Sequence, residues 1–398
     1  MGNDKALQLT LETFQGASDL AVNMFLNAAA KRTLQAWRPY LGFAPGIWEA
    51  ILSNPINKKT LDFVFRRKAE LADFIIDLIE PVKRFVRSDS DERTTVCDLN
   101  AFNELDLTKP MNRHASMCQI QRLLKSIVSI LHGRDQDKSL ADFVMDTRLD
   151  SDCDDAITDV IQDSIGTNTP ETWFFINGIA GESQWLKLAL DKLKARFGQG
   201  DKDLGTITGI FNRGDGILWD LIECAGQRCA ENGTDTDNVI QRTKSSQKAE
   251  SLLKDELLKA LTKERAKPEN EQDPVIVIAH SQGCLLLRLV LEELASDPRD
   301  LAIMQKSLMV FTFGNPSVDW EIHKSCNHTE HYANEKDFVA WLGVLRQDDD
   351  DSSGRFHYEN LINKGKKGHL FGAHYDLEEG AYECVSHKGE RSRLFTGK

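Results

Sequence analysis

The feature that most constrains the fold is a run of four β-branched residues, Val275-Ile276-Val277-Ile278, inside the stretch PVIVIAHSQGCLLLRLVLEEL. A strand points successive side chains to opposite faces, so a run that is apolar at every position must be covered on both. That is the environment of a central strand in a parallel sheet with helices on either side. The flanking sequence has the matching periodicities. From about residue 170, TWFFING precedes SQWLKLALDKLKARF, GTITGIF precedes GILWDLIECAG, PVIVIA precedes GCLLLRLVLEELA, and SLMVFTFG and HYAN follow. Short β-rich runs alternating with longer amphipathic ones specify a mostly parallel sheet with crossover helices, an α/β fold.

The first part of the chain has a different texture. LAVNMFLNAAAKRTLQAW, KKTLDFVFRRKAELADFIIDLIEPVKRFV and QIQRLLKSIVSILHG repeat apolar residues every three or four positions, which predicts helices. RSDSDERTT and GRDQDKS are charged, solvated connections. The 398 residues, material for about two to three domains, therefore divide into an all-helical region over 1–165 and an α/β domain over 166–398. The helical region is expected to be a lid, a docking surface or a regulatory element. Asp150, Asp152 and Asp154 have the alternate spacing that opens a calcium loop, but Asp155 and Ile161 stand where that loop needs Gly and Glu, so a solvated linker is expected.

A net charge of -13 argues against nucleic acid as a partner, because phosphate backbones are gripped by clustered Lys and Arg. The eight cysteines are scattered without a CxxC pair, which predicts reduced thiols and neither a zinc ribbon nor a redox motif. The opening MGNDKALQLTLETF lacks the basic flank and apolar core of a secretory signal, and Ala6 stands where a myristoylation motif asks for Ser or Thr. No apolar run reaches the ~18 residues of a membrane span. A cytoplasmic location is expected, and the sequons at Asn232 and Asn327 matter only for an exported chain. The apolar face of the first helices, with Trp37 and Tyr40, suits a lipid interface as well as a protein interior, which leaves peripheral membrane contact open.

The junction after the central strand carries the chemistry. Ala279-His280-Ser281-Gln282-Gly283 lies between strand and helix, the layout of a nucleophile elbow in which a serine occupies a sharp, strained turn and lifts its hydroxyl above the sheet. Ala279 and Gly283 are small enough to let strand and helix approach. The helix N-terminus favours negative charge there, and the backbone N–H of Gln282 is one expected oxyanion donor. His280 is too close in sequence to serve Ser281 as a base and is expected to pack or line the pocket.

With these residues the sequence resembles the α/β-hydrolase superfamily, particularly its lipase and serine-esterase branches, in which AHSQG is a common spelling of the elbow. The resemblance covers roughly residues 170 to 398 and leaves the helical region outside it. It implies a second oxyanion donor in the loop after an earlier strand; FFINGIAGES stands there, with Asn177-Gly178 in place of His-Gly and the N–H of Ile179 as donor. It also implies the order serine, acid, histidine. Asp337, between HYAN and FVAWLGVL, is the favoured acid ahead of Asp319, with Asp297 and Asp300 also in range. Asp348 to Asp351 form an acidic surface run. His369, after Gly368, is the favoured base, and His374 is the alternative.

The implied activity is cleavage of carboxylic esters, lipid or phospholipid esters included, through an acyl-enzyme on Ser281, with no metal or organic cofactor. The reading from a different class is a catalytically inactive domain kept as a scaffold or binding module. Two further signals are weaker. Arg213-Gly214-Asp215 is expected to be a glycine turn near the pocket rim rather than an adhesion motif, and WDLIECAG to be a helix lining the acyl site.

Overall fold

The computed structural model describes residues 100–119, 122, 160–164, 171–198, 206–214, 217, 220, 224, 244–317, 320–345, 360–378, 380–384 and 392–396. The expected helices before residue 100, with Trp37 and Tyr40, and the Asp150–Asp155 linker lie outside them. So do Asp215, Asp319 and the acidic run at 348–351.

The strands are β1 (Val160–Ser164), β2 (Thr172–Ile176), β3 (Thr206–Ile210), β4 (Val275–His280), β5 (Leu308–Phe313), β6 (His328–Lys336), β7 (Asn360–Lys367) and β8 (Glu383–Cys384). They form one sheet in the order β1-β3-β2-β4-β5-β6-β7-β8. The six inner strands run parallel, and β1 and β8 close the edges antiparallel. The helices are α1 (Ser183–Phe197), α2 (Lys244–Arg265), α3 (Gln282–Leu294), α4 (Pro298–Ser307) and the short turns α5 (Phe338–Leu342), α6 (Phe371–His374) and α7 (Arg393–Thr396). This is an α/β architecture, as the alternation of periodicities requires.

The sheet is covered on both faces, and the strand pattern shows why. In β2 and β4, Phe174, Ile176, Val275, Val277 and Ala279 point into one core with Leu253 and Leu257 of α2 and Leu286, Leu287 and Val290 of α3. The alternate residues Trp173, Phe175, Ile276 and Ile278 point into a second core with Leu186, Ala189, Leu190 and Leu193 of α1. The α1 set falls at i, i+3, i+4 and i+7, one stripe of a helix. α3 is apolar nearly all round and is buried along its length. Truncating one of its leucines to alanine would cost about 2–5 kcal/mol.

Two elements depart from the boundary expected at residue 166. The strand at 160–164 belongs to the sheet, pairing with β3 from Val160 opposite Ile210 to Ser164 opposite Thr206. The stretch 100–119, helical from 110, packs its Leu107, Ala115 and Cys118 out of solvent. Neither stretch has a continuous apolar pattern that marks it as part of the α/β unit; each is held by contacts distant in sequence. Among the described residues, no helix is long and apolar enough to cross a membrane.

The chain order fixes where a ligand can sit. From β2 the chain moves outward to β3, then returns to the other side of β2 to form β4. The crevice between the C-terminal ends of β2 and β4 is therefore a topological switch point, the place where open α/β sheets bind ligands.

Candidate active site

Ser281 stands at that crevice. It follows β4 and is the N-cap of α3, with φ 56° and ψ -128°. Among the described residues only Ala180 (φ 53°) and Ser281 have positive φ without being glycine. Such a backbone costs of order 1–3 kcal/mol and persists only where the surroundings enforce it. Here they do. Ser281 N–H donates to the Phe313 carbonyl at 2.9 Å, and its own carbonyl accepts from Cys284 N–H at 2.9 Å. Gly283 lets α3 press on β2: a Cβ there would stand 2.7 Å from the Ile176 carbonyl oxygen. Ala279 is wholly buried on the same face.

Asp337 and His369 follow β6 and β7. Asp337 is the N-cap of α5, and its Oδ1 accepts from Val339 N–H at 2.8 Å. Its Oδ2 accepts from His369 Nδ1 at 2.8 Å and from the Tyr375 hydroxyl at 2.5 Å. Burial pushes the carboxyl pKa up, but the facing imidazole and these donors outweigh it and leave it below the ordinary value, so Asp337 is a carboxylate. The carboxylate fixes the proton of His369 on Nδ1 and leaves Nε2 as the basic nitrogen. The two residues are 1% and 2% exposed.

The ring of His369 lies against the strand end beside Ser281. A Cβ at Gly314, the residue after Phe313, would be 3.1 Å from His369 Cε1 and 2.9 Å from Asp337 Oδ2. The ring of His280, next in sequence to Ser281, is centred 4.7 Å from that of His369. Ser281 is 0% exposed, and among the described residues its Oγ has no hydrogen-bond partner, so the serine–histidine hydrogen bond is not made in this structure. Such bonds are often long without substrate and tighten in the complex.

His374, the other candidate base, is used locally. Its Nδ1 accepts from Leu370 N–H at 3.0 Å, and its ring packs where a side chain at Gly368 would sit. Asp297 caps α4 and Asp300 pairs with Arg265 at the surface. His280 neither merely packs nor titrates near neutrality: its Nε2 donates to the His369 carbonyl at 2.7 Å, and burial, with the neighbouring His369, depresses its pKa to about 3.

The loop after β2 faces the elbow. Gly178 abuts Ser281, and Ile179 follows it. Asn177 bridges to the segment after β3, its Nδ2 donating to the Asn212 carbonyl at 2.7 Å while its Oδ1 accepts from Asn212 N–H at 2.8 Å. Asn212 Nδ2 in turn donates to Gln282 Oε1 at 2.7 Å. Side-chain amides thus tie the Ile179 loop to the side chain of Gln282. Ala180 is held at its positive φ by donating its N–H to Asp220 Oδ2 at 2.9 Å. Gly214 has φ 67°, a left-handed conformation that suits glycine.

No local pattern marks Tyr375, Asn212 or Asp220, because each acts through a partner far away in the chain. Among the described residues no cluster of three or more His, Cys, Asp or Glu could hold a metal ion. Cys118, Cys224, Cys284, Cys326 and Cys384 are buried free thiols. A serine hydroxyl on a strained turn and an imidazole oriented by a carboxylate at neighbouring strand ends are groups that acyl transfer uses. No protein-family model, curated protein or solved structure matches the chain.

Proposed function

We propose that the protein is a serine hydrolase of the α/β-hydrolase type that cleaves carboxylic esters, with lipid or phospholipid esters as its substrate class. The observation that carries this reading is the Asp337–His369 pair beside a serine held at φ 56° on the head of a helix. His369 Nε2 takes the Ser281 proton as Oγ attacks the ester carbonyl. The N–H groups of Ile179 and Gln282 receive the oxyanion, and Asp337 stabilises the imidazolium. The imidazolium then protonates the leaving alcohol, and water, activated by the same imidazole, releases the acid. Because Ser281 is wholly buried, an ester reaches it only when the residues covering it move aside.

One observation favours the second reading, a non-catalytic domain acting as a scaffold or binding module: Ser281 Oγ lacks a hydrogen bond among the described residues. Titration of the purified chain with a fluorophosphonate probe separates the two. The hydrolase reading expects stoichiometric labelling of the natural chain and none of Ser281→Ala. Equal labelling of both, or of neither, rejects it. Liposome hydrolysis with products identified by mass spectrometry tests the lipid preference, which fails if only small soluble esters turn over.

A further inference from the structure

Residues 100–119 and Arg122 lie outside the sheet but reach both loops of the site. At one end, Glu104 accepts from the N–H groups of Gly372 and Ala373 at 2.6 and 2.7 Å, and Asn100 Nδ2 donates to the Gly372 carbonyl at 2.7 Å. At the other end, Gln119 Nε2 donates to the Glu182 carboxylate at 2.7 Å and to the Gly181 carbonyl at 3.4 Å. Arg122 lies 2.7 Å from the same carboxylate. Glu104, Gln119, Arg122 and Glu182 are all buried. The span between the ends is stiffened internally: Asn112 Nδ2 donates to the carbonyls of Asn103 and Asp106 at 2.9 and 3.1 Å, and a helix runs from 110.

The turn that carries His369 needs outside support. A four-residue helix such as α6 cannot pair its own N–H and C=O groups, and buried backbone groups left unpaired are costly. Side chains from elsewhere take them up. Asn334 donates to the carbonyls of Gly368 and His374 at 2.9 and 3.2 Å, and His280 to that of His369. Lys192 Nζ donates to those of Phe371 and Gly372 at 2.9 and 2.8 Å and also to that of Tyr375. Glu104 supplies the only carboxylate among these partners, at the end where N–H groups emerge, opposite the Lys192 ammonium. The fit is close: a Cβ at Gly372 would stand 2.1 Å from the Phe102 carbonyl oxygen.

We propose that residues 100–119, with Arg122, are a brace for the site, with Glu104 and Gln119 as positioning residues. Glu104 fixes the turn that presents His369, and Gln119 fixes the loop that presents Ile179. The kinetic side of this inference rests on the hydrolase reading; the structural side rests on geometry alone.

The test compares the full natural chain with Glu104→Gln and Gln119→Ala by three readouts: ester hydrolysis, the downfield proton resonance of the His369–Asp337 hydrogen bond, and amide exchange of residues 368–375 and 177–182. Glu104→Gln should lower kcat about tenfold or more with KM within about twofold, as loss of orientation does. It should also shift or broaden the imidazole proton and speed exchange of 368–375, while the amides of β4 and β5 stay protected. Gln119→Ala should speed exchange of 177–182. An unchanged proton resonance and unchanged exchange of both loops overturn the brace, whatever kcat does. If the natural chain hydrolyses no ester, the hydrolase reading falls, and the resonance and exchange still decide the brace. Should Glu104→Gln fail to fold, Asn100→Ala, which removes the hydrogen bond to the Gly372 carbonyl and the one from Phe102 N–H, is read in the same way.

Discussion

Gly178 and Ser281 share a contact that no other residue type at 178 could make: a Cβ added to Gly178 would stand 2.2 Å from the serine Cβ and 2.7 Å from its Oγ. The loop after β2 and the elbow after β4 are thereby pressed together, and the strained serine backbone is enforced from the opposite lip of the crevice. Gly178→Ala must push the loop or the serine aside. The expected loss is about 1–3 kcal/mol of stability and on the order of 100-fold in ester turnover. Urea unfolding and hydrolysis rates check both; an active, fully stable variant would show that the loop has room to yield.

Asp337→Asn separates orientation from folding. Asparagine can still accept from Val339 N–H and keep the cap of α5. It presents an amide to His369 where a carboxylate held the Nδ1 proton, so the imidazole loses its tautomer preference. Turnover should fall on the order of 10³–10⁴-fold, far more than the loss of about 1–3 kcal/mol of stability, read from the unfolding midpoint, that follows because the buried Tyr375 hydroxyl no longer finds its acceptor.

Acid should destabilise the protein through its buried neutral histidines. Burial depresses His331 to about 3, only partly offset by Glu330, and depresses His280 to about 3. Between pH 6.5 and that value the unfolded chain binds a proton that the folded chain does not. The stability is therefore complete above pH 6.5 and falls as pH drops. From pH 7.5 to 5 each histidine accounts for about 2 kcal/mol. Urea titrations at the two values should show a smaller drop for His331→Gln than for the natural chain. An identical drop would mean that His331 is protonated in the folded state.

Glu330 offers a contrast away from the site. It is wholly buried on β6 and accepts from His328 Nε2 at 2.8 Å, Ser392 Oγ at 2.9 Å and Arg393 N–H at 2.7 Å, as well as from the Tyr332 hydroxyl. Burial raises its pKa, but these donors more than compensate and hold it below the ordinary value. Glu330→Gln should cost about 1–3 kcal/mol of stability by leaving a donor unmatched. Labelling of Ser281 should be unaffected, and a loss of labelling would tie the C-terminal turn to the site.

What could be read in the sequence was what depends on neighbours along the chain. The apolar Val275–Ile278 run required a two-faced central strand, the stripe on α1 required a helix, and the Ala279–Gly283 junction required a tight turn, because periodicity and residue size act locally. Asp337 could be nominated because it follows the strand-like HYAN, and His369 because of the Gly368-His369 step and the serine, acid, histidine order that the resemblance implies; the Asp337 Oδ2 contact with His369 is a tertiary one. The tertiary structure alone decided the rest. β7 reads Asn-Leu-Ile-Asn-Lys-Gly-Lys-Lys, a loop by composition, and is a strand because β6 offers it a ladder. Glu104, Gln119, Lys192 and Tyr375 reach the site from elements scattered through the chain, and their buried polar groups are tolerable only with the partners that folding delivers.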